Sequence, residues 1–327
     1  MHDQSFQRRI NPQSRRFFLT VAPVFLAGNA VRAQTAASPF SIDGRAVAPT
    51  PTDPPSTAGM PAVGQVVTKD LNVSGKTGWV INGVTFNGCA LIGASNGKVL
   101  NCTFNDAPAG NNNGSAIPLN DQRNLEIRGC SFNRCGATAL GVYNYDKVTV
   151  QGCRFIDCSS PMQGMFWSAS FGNSIWFLGN FVSGVQYGGV EFAQSEDEKI
   201  SPQNLQDLRI VGNTFVNAKG KAMIGPISVV ARGTVSGTLI TDNYLERGKD
   251  YFNDTGSGPN AYSEAIEVNG PAAIERNTMV DFSMAIHIYQ TAGQPWATAS
   301  GNFIFNSQAG NAGGCTTLAT RPTAPMT

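Results

Sequence analysis

Short runs in which apolar and polar residues alternate recur along the chain, and they predict β-strands. Examples are "NLEIRG" at 124–129, "KVTVQG" at 147–152 and "DLRIVG" at 207–212. Alternation with a period of two places one set of side chains in a core and the other set on the opposite face. Glycine and proline lie between the runs and a helical period is absent, so we expect short strands joined by turns.

These strands belong to a longer repeat in which Asn or Cys is followed two positions later by an apolar residue. The spacing between successive repeats is 23 to 34 residues. The repeat positions are Cys102, Cys130, Cys153, Asn180, Asn213, Asn243, Asn277 and Asn302. A unit of two or three short strands cannot bury its apolar face alone, whereas stacked units can. We therefore expect these side chains to stack at one turn of successive coils and to satisfy backbone groups there.

The repeat resembles the right-handed parallel β-helix of the pectate-lyase-like superfamily, and the resemblance covers roughly residues 63–315. It implies an all-β solenoid of about eight to nine coils. The aspartate-rich, "GHG" and "RIK" signatures of polygalacturonase-type hydrolases are absent from the sequence. The resemblance therefore concerns the repeat pattern, and it implies a fold more directly than a reaction.

The two ends of the chain differ from the repeat region. Residues 1–33 contain "SRRFFLT" and a short apolar run that ends in "VRA", a pattern that resembles a twin-arginine signal peptide; an ordinary secretory signal is the alternative. The apolar run is too short to span a bilayer, so we expect an exported protein, periplasmic or secreted, without a membrane anchor. Its first partner is then the twin-arginine export machinery. Residues 34–62 predict a linker rich in Pro, Ala, Ser and Thr, and residues 316–327 a flexible tail.

Charge and cysteine usage restrict the function further. The signal segment carries five arginines and one aspartate, so its removal changes the formal net charge from +1 to −3. No basic patch indicates a nucleic-acid partner, and no motif indicates a cofactor or a metal. The seven cysteines are best interpreted as small apolar residues stacked in the interior, although Cys135 and Cys158 are close enough in the repeat for a disulfide. We expect a monomer.

The β-helices that this chain resembles bind substrate on the outer face of one particular strand of each coil. It is the strand that comes after the turn with the repeated Asn or Cys and after the next bend. The central outward position of that strand, coil by coil, is predicted as Pro118, Gly141, Trp167, Glu191, Ser228, Glu267 and His287. The next outward position is predicted as Asn120, Tyr143, Ala169, Ala193, Val230, Asn269 and Tyr289. Stacked strands are about 4.8 Å apart, so Glu267 should lie beside His287, the only histidine after the signal segment.

A polysaccharide lyase is the preferred function of this predicted site. A lyase needs a base that removes a proton beside a uronate carboxylate, and His287 and Tyr289 are the candidate bases. The uronate carboxylate must also be neutralised, for which Asn269 and Arg232 are the candidate groups.

Two other functions remain open at this point. An inverting glycoside hydrolase would use Glu191 and Glu267, whose strands lie about 9.6 Å apart, with His287 assisting. A non-catalytic glycan-binding β-helix protein would need the aromatic residues but not the acid and the imidazole. In all three cases the partner is a polysaccharide, on which Trp167 and Tyr143 could stack.

Overall fold

The computed structural model describes residues 53–108, 115–136, 138–164, 171–186, 188–192, 204–217, 225–230, 233–247, 264–282, 284–289 and 297–305. Within these stretches the regular structure consists of strands. No helix in this described part is long and apolar enough to cross a membrane. Residues 1–33, predicted as a signal peptide, and residues 316–327, predicted as a tail, lie outside the described residues.

The strands are β1 (Val66–Val67), β2 (Leu71–Asn72), β3 (Trp79–Asn82), β4 (Thr85–Asn87), β5 (Leu91–Ile92), β6 (Gly97–Leu100), β7 (Thr103–Asn105), β8 (Ser115–Arg128), β9 (Ser131–Asn133), β10 (Thr138–Gln151), β11 (Arg154–Ile156), β12 (Ser160–Gly164), β13 (Phe171–Leu178), β14 (Phe181–Ser183), β15 (Val190–Glu191), β16 (Asn204–Val211), β17 (Thr214–Val216), β18 (Ile227–Val229), β19 (Val235–Ser236), β20 (Thr238–Thr241), β21 (Tyr244–Glu246), β22 (Glu264–Asn269), β23 (Ala272–Glu275), β24 (Thr278–Val280), β25 (Met284–Tyr289), β26 (Thr298–Ser300) and β27 (Phe303–Phe305).

The strands stack in parallel on the faces of a right-handed β-helix, as predicted. In each coil the Asn/Cys turn is followed by a short strand, then by a bend, and then by a further strand. These further strands form what we call the first face. It consists of the start of β8, the start of β10, β12, β15, β18, β22 and β25. The second face holds β3, β6, the ends of β8 and β10, β13, β16, β20, β23 and β26. The two faces form one 15-stranded sheet because β8 and β10, at 14 residues each, run across both.

The third face is a separate sheet of ten strands in the order β1-β4-β7-β9-β11-β14-β17-β21-β24-β27. Ten strands are slightly more than the eight to nine coils that the repeat predicted. Eight strands follow the Asn and Cys positions from Cys102 to Asn302, and β4 follows Val84, which holds the same position and is buried. The tenth strand is β1, which pairs with β4 ahead of that coil.

A left-handed backbone conformation precedes every position of the Asn/Cys turn. The residue before it has φ between 50° and 67° in all nine coils from Val84 to Asn302. Glycine occupies most of these positions, since it adopts positive φ without a steric penalty. Asn101, Asp242 and Arg276 are the exceptions. Asn and Asp tolerate this region through short polar side chains, and the Arg276 guanidinium is held by Asp242, with Nε–Oδ1 at 2.9 Å.

The five asparagines of the turn form a continuous buried hydrogen-bonded ladder. The backbone N–H of Asn180 donates to Oδ1 of Asn213 at 2.8 Å, and Nδ2 of Asn213 donates to the carbonyl oxygen of Phe177 at 2.9 Å and to Oδ1 of Asn243 at 2.9 Å. The same pattern continues through Asn277 to Asn302. Each amide therefore satisfies backbone groups of the preceding coil, which confirms the predicted stacking.

Cysteines occupy the same turn in the three coils before Asn180. The thiols of Cys102, Cys130 and Cys153 lie 3.2 to 3.6 Å from backbone carbonyl oxygens, and the six cysteines of the described part are all buried and free. Burial raises the pKa of the Cys130 thiol, which keeps it neutral. The third face of these coils carries stacked rings, with centroids 4.5 to 5.0 Å apart, from Phe86, Phe104, Phe132 and Phe155.

The residues just before the first coil contact the N-terminal coils. Asp53 is only 7% exposed and binds the guanidinium of Arg128, and it also accepts a hydrogen bond from Nδ2 of Asn101 at 2.9 Å. The backbone N–H of Thr57 donates to the carbonyl oxygen of Val80 at 2.9 Å. Residues 53–62, which form the end of the predicted linker, thus pack on the first coils.

Candidate functional site

The pairing register of the first face determines which side chains form the predicted outward column. Pro118 lies opposite Gly141, Gly141 opposite Gln163, and Gln163 opposite Glu191. Ser228, Glu267 and His287 follow in the same row. The column therefore agrees with the prediction at every coil except one.

The exception is the coil that contains Trp167. The position assigned to Trp167 is occupied by Gln163, because β12 begins at Ser160, directly after the turn that holds Cys158. The prediction placed this strand too late in the sequence, since a run rich in small and aromatic residues offers several alternations of equal quality. Trp167 itself lies outside the described residues.

The second predicted column holds at one end and fails at the other. Asn269 lies opposite Tyr289, as predicted. Tyr143 does not lie opposite Asn120, because Asn144 takes that place and the register shifts on both sides of it. This irregularity falls where β10 passes from the first face to the second, and a bulge is a common means of bending a strand there. The side chains of Tyr143 and Tyr289 and the whole of Arg232 lie outside the described part.

Glu264 and His287 form a close pair between neighbouring coils. Oε1 of Glu264 lies 2.8 Å from Nδ1 of His287, and the two side chains are 3% and 13% exposed. Alternation did not predict this contact, because it places residues three apart, such as Glu264 and Glu267, on opposite faces. Glu264 is the first residue of β22, where regular pleating does not yet determine the direction of the side chain. The one available signal was an acid at the first position of a strand that neighbours the strand of His287.

Glu267 is oriented by a second polar contact. The hydroxyl of Ser228, which is fully buried, donates to Oε2 of Glu267 at 2.8 Å. Glu267 is half-buried and Asn269, two residues later on the same strand, is buried. One oxygen of the Glu267 carboxylate is thus engaged by the neighbouring coil, and its position is set by the strand register.

Glu191 differs from the expectation of an outward residue on the substrate face. It lies in the column with Ser228, two coils from Glu267, as predicted. Its side chain is nevertheless fully buried, at 0% exposure. A carboxylate at this depth does not contact a polymer that lies on the first face.

Glu264, Glu267 and His287 together form a compact set of donor groups. Each offers one oxygen or nitrogen atom, and these three atoms lie within 4.8 Å of one another. Among the described residues they are the group that could hold a metal ion. Chemically, the arrangement combines an imidazole held by one carboxylate with a second carboxylate beside it.

Comparison with known proteins agrees with the geometry of the fold. The family model described as "Right handed beta helix region" matches residues 71–245. No curated protein matches the chain. Among solved structures, the crystal structure of PfbA, a surface adhesin of Streptococcus pneumoniae, has 11% sequence identity and a TM-score of 0.43, with 72% of each chain covered. A likeness of this degree carries no argument about function.

Proposed function

The chain belongs to the right-handed β-helix family, and on this premise we propose that it is an exported enzyme that cleaves an acidic polysaccharide by β-elimination, that is, a polysaccharide lyase. The reaction centre is the group of Glu264, Glu267 and His287 at the C-terminal end of the first face. The long row of parallel strands on this face matches the extended shape of a polymer.

The observation that carries the proposal is the hydrogen bond between Glu264 and His287, 2.8 Å from Oε1 to Nδ1. When the carboxylate of Glu264 accepts from Nδ1–H, the proton of the neutral imidazole is held on that nitrogen. The other ring nitrogen, Nε2, then carries the lone pair and is able to accept a proton. Glu264 acts as a positioning residue, and His287 acts as the base.

The reaction needs no group that the chain lacks. His287 removes the proton from the carbon beside the uronate carboxylate, and the electron pair of that C–H bond forms a carbon–carbon double bond. The bond from the adjacent carbon to the glycosidic oxygen breaks at the same time, and the released oxygen takes a proton from the imidazolium or from the hydroxyl of Tyr289. The amide of Asn269 and the side chain of Arg232 are the candidate groups that stabilise the charge on the uronate.

The burial of Glu191 favours this reaction over hydrolysis by a Glu191/Glu267 pair. An inverting hydrolase needs both carboxyl groups at the scissile bond, one to protonate the leaving oxygen and one to activate water. Glu191 is 0% exposed, so only Glu267 of this pair faces the outside. Glycan binding without catalysis would not require an imidazole oriented by a buried acid.

Export through the twin-arginine route is part of the proposal. Arg15 and Arg16 lie a few residues before the apolar run "VAPVFLAGNAV" at 21–31, and a machinery that carries folded proteins would export the chain after folding in a reducing compartment. The six buried free cysteines support this order of events.

The test is an assay with two readouts on the mature chain, from residue 34 onwards. A panel of acidic and neutral polysaccharides is incubated with the enzyme, and reducing ends are followed together with the ultraviolet absorbance of an unsaturated sugar. We expect both signals to rise together on at least one uronate polymer. Reducing ends without absorbance would mean hydrolysis, and binding without cleavage would mean a glycan-binding protein; either result would overturn the proposal.

Three variants assign the roles. His287→Asn keeps an amide donor for Glu264 but removes the base, and we expect turnover to fall by at least about a hundredfold. Glu264→Gln should also lower turnover, with a changed pH profile, because the carboxylate charge is lost and the amide, which can donate to Nδ1 as well as accept from it, no longer fixes the proton on that nitrogen. Glu275→Gln is the matched control, since Glu275 lies in the same coil on the second face in an exposed pair with Arg276. Equal activity of the control and His287→Asn would contradict the assignment.

A further inference from the structure

We propose that Glu264, Glu267 and His287 also bind a divalent transition-metal ion of the Zn²⁺ class, and that the bound ion inhibits the enzyme. Three donor atoms, one from each residue, lie within 4.8 Å of one another. Ligand distances of about 2.0 to 2.2 Å from Zn²⁺ require donors about 3 to 4 Å apart, so small side-chain rotations complete the site. The inhibitory consequence rests on the proposed function, whereas the binding itself does not.

The chemistry of the donors selects the class of ion. An imidazole nitrogen with two carboxylate oxygens suits Zn²⁺, Mn²⁺ or Fe²⁺. Ca²⁺ and Mg²⁺ prefer sets made of oxygen atoms alone, with six or more positions for Ca²⁺. With three protein ligands, a fourth position around Zn²⁺ remains for water or for a carboxylate oxygen of the substrate.

The surroundings of the three donors resemble the outer shell of a metal site. Ser228 donates to Oε2 of Glu267 at 2.8 Å, and ligating carboxylates are commonly held by such a hydrogen bond. Glu264 and His287 are 3% and 13% exposed. All three donors lie on β22 and β25, which are adjacent parallel strands, so their backbone positions are held by the sheet and not by a loop.

The ion and the proposed base use the same imidazole. If Nδ1 binds the ion, the hydrogen bond to Glu264 is lost and the proton of the neutral ring moves from Nδ1 to Nε2. If Nε2 binds the ion, its lone pair is no longer available. Whichever nitrogen binds, His287 cannot accept the substrate proton while the ion is present. The site thus couples cleavage of the polymer to the concentration of free transition metal.

The first experiment measures binding of Zn²⁺ directly, without activity. Tag-free mature chain is treated with a chelator, desalted and titrated with ZnCl₂ in a calorimeter. We expect one ion per chain, with affinity at least about tenfold weaker in Glu264→Gln, Glu267→Gln and His287→Asn. Ser228→Ala should weaken it less, and Glu275→Gln should leave it unchanged. Folding of each variant is checked by circular dichroism and thermal midpoint.

A second measurement separates this site from the buried thiols. Co²⁺ in place of Zn²⁺ gives a spectrum that distinguishes nitrogen and oxygen ligands from thiolates. We expect the nitrogen and oxygen type, and its loss in His287→Asn. Thiolate bands, or unchanged Zn²⁺ affinity in Glu267→Gln and His287→Asn, would overturn the metal site.

The activity arm distinguishes the two proposals. On a polymer that the enzyme cleaves, Zn²⁺ should inhibit with the midpoint measured in the calorimeter, and a chelator should maintain or raise the rate. A rate that falls with the chelator and recovers with Zn²⁺ would overturn the inhibitory role. If no polymer is cleaved but Zn²⁺ binds at the cluster, the proposed function fails and the metal site stands. If a polymer is cleaved but Zn²⁺ does not bind, the metal site fails and the proposed function stands.

Discussion

The two halves of the β-helix use different chemistry at the same turn. In the N-terminal half, Cys102, Cys130 and Cys153 fill the turn with small thiols that approach carbonyl oxygens at 3.2 to 3.6 Å. In the C-terminal half, asparagines from Asn180 to Asn302 connect each coil to the next by hydrogen bonds of 2.8 to 3.1 Å. The positions are equivalent, but the strength and directionality of the contacts are not.

The third face shows the same division. The N-terminal coils stack four phenylalanine rings, and the planes of neighbouring rings lie within 7° of each other. The C-terminal coils place Val182, Phe215, Leu245, Met279 and Ile304 in the same row. The third face is thus filled by stacked rings in the first half and by apolar side chains of mixed shape in the second.

The comparison indicates why the candidate site lies in the C-terminal half. A shift of one coil against the next would leave the buried amides of the ladder without partners, so the ladder enforces one register. Ser228, Glu267 and His287 lie on the first face of these coils. Their mutual positions therefore depend on a register that directional hydrogen bonds determine.

The largest effect on stability is expected from the centre of the asparagine ladder. Asn243→Ala removes the acceptor of the Asn213 N–H and the donor to the carbonyl oxygen of Ile210, at 2.9 and 2.8 Å. Both groups are buried, so we expect a loss of about 3 to 5 kcal/mol in the free energy of unfolding. Chemical denaturation of the mature chain measures this loss.

The matched control is an asparagine ladder on the outside of the N-terminal half. Nδ2 of Asn105 donates to Oδ1 of Asn87 at 2.9 Å, and the hydrogen bond is exposed. Asn105→Ala should cost less than about 1 kcal/mol, because water replaces the lost partners. Similar losses for Asn105→Ala and Asn243→Ala would show that the buried ladder does not distinguish the two halves.

Substitution of a cysteine in the N-terminal half should lower the free energy of unfolding less than substitution of an asparagine in the buried ladder. Cys130→Ala leaves a small cavity but no strong unsatisfied donor, and Cys130→Ser places a hydroxyl beside the carbonyl oxygens of Val99 and Arg128, 3.5 Å from the present sulfur. We expect about 1 to 3 kcal/mol for serine and less for alanine. The same denaturation experiment measures both, and a serine variant as stable as the parent would argue against a thiol ladder buried in an apolar interior.

The smallest effect concerns the segment that packs on the N-terminal coils. The hydrogen bonds from Arg128 and Asn101 lower the pKa of Asp53, and a lowered folded-state pKa stabilises the protein at pH above the unfolded value of about 3.9. This contribution is lost as the pH falls through the folded-state pKa. Asp53→Asn should therefore cost about 1 kcal/mol near neutral pH, and the difference from the parent should vanish at strongly acidic pH.

Asp242→Asn provides the counterpart in the C-terminal half. Asp242 pairs with Arg276 on an exposed surface, so its replacement should change the free energy of unfolding by less than about 0.5 kcal/mol. Thermal midpoints measured across the acidic range compare the two variants. A loss for Asp53→Asn that does not depend on pH would refute the electrostatic origin of the N-terminal contact.

The repeat allowed most of the fold to be predicted. The Asn/Cys spacing placed the turns, and alternation placed Glu267 beside His287, as observed. These predictions succeed because stacking of equivalent coils converts a spacing in sequence into a column in space. The first coil, that of β1, was not marked by the repeat, because Gln65 stands before this strand where later coils carry Asn or Cys.

The candidate site was predicted in part. Glu267, His287 and Asn269 lie where the columns placed them, whereas Trp167 was assigned to the position of Gln163 and Tyr143 was aligned across a bulge. Glu264 was missed. Each miss falls at the start of a strand or at a bend between faces, where alternation does not apply.

The sequence by itself determined the period of the solenoid, the two kinds of ladder and the direction of side chains inside regular strands, because all three follow from local spacing. The tertiary structure alone decided that β12 begins at Ser160, that Glu191 is buried, and that the carboxylate of Glu264 reaches His287 in the next coil. The start of a strand is set by hydrogen bonds to the neighbouring coil, and burial is set by the packing of segments distant in sequence. Neither quantity is encoded in the alternation of a single strand.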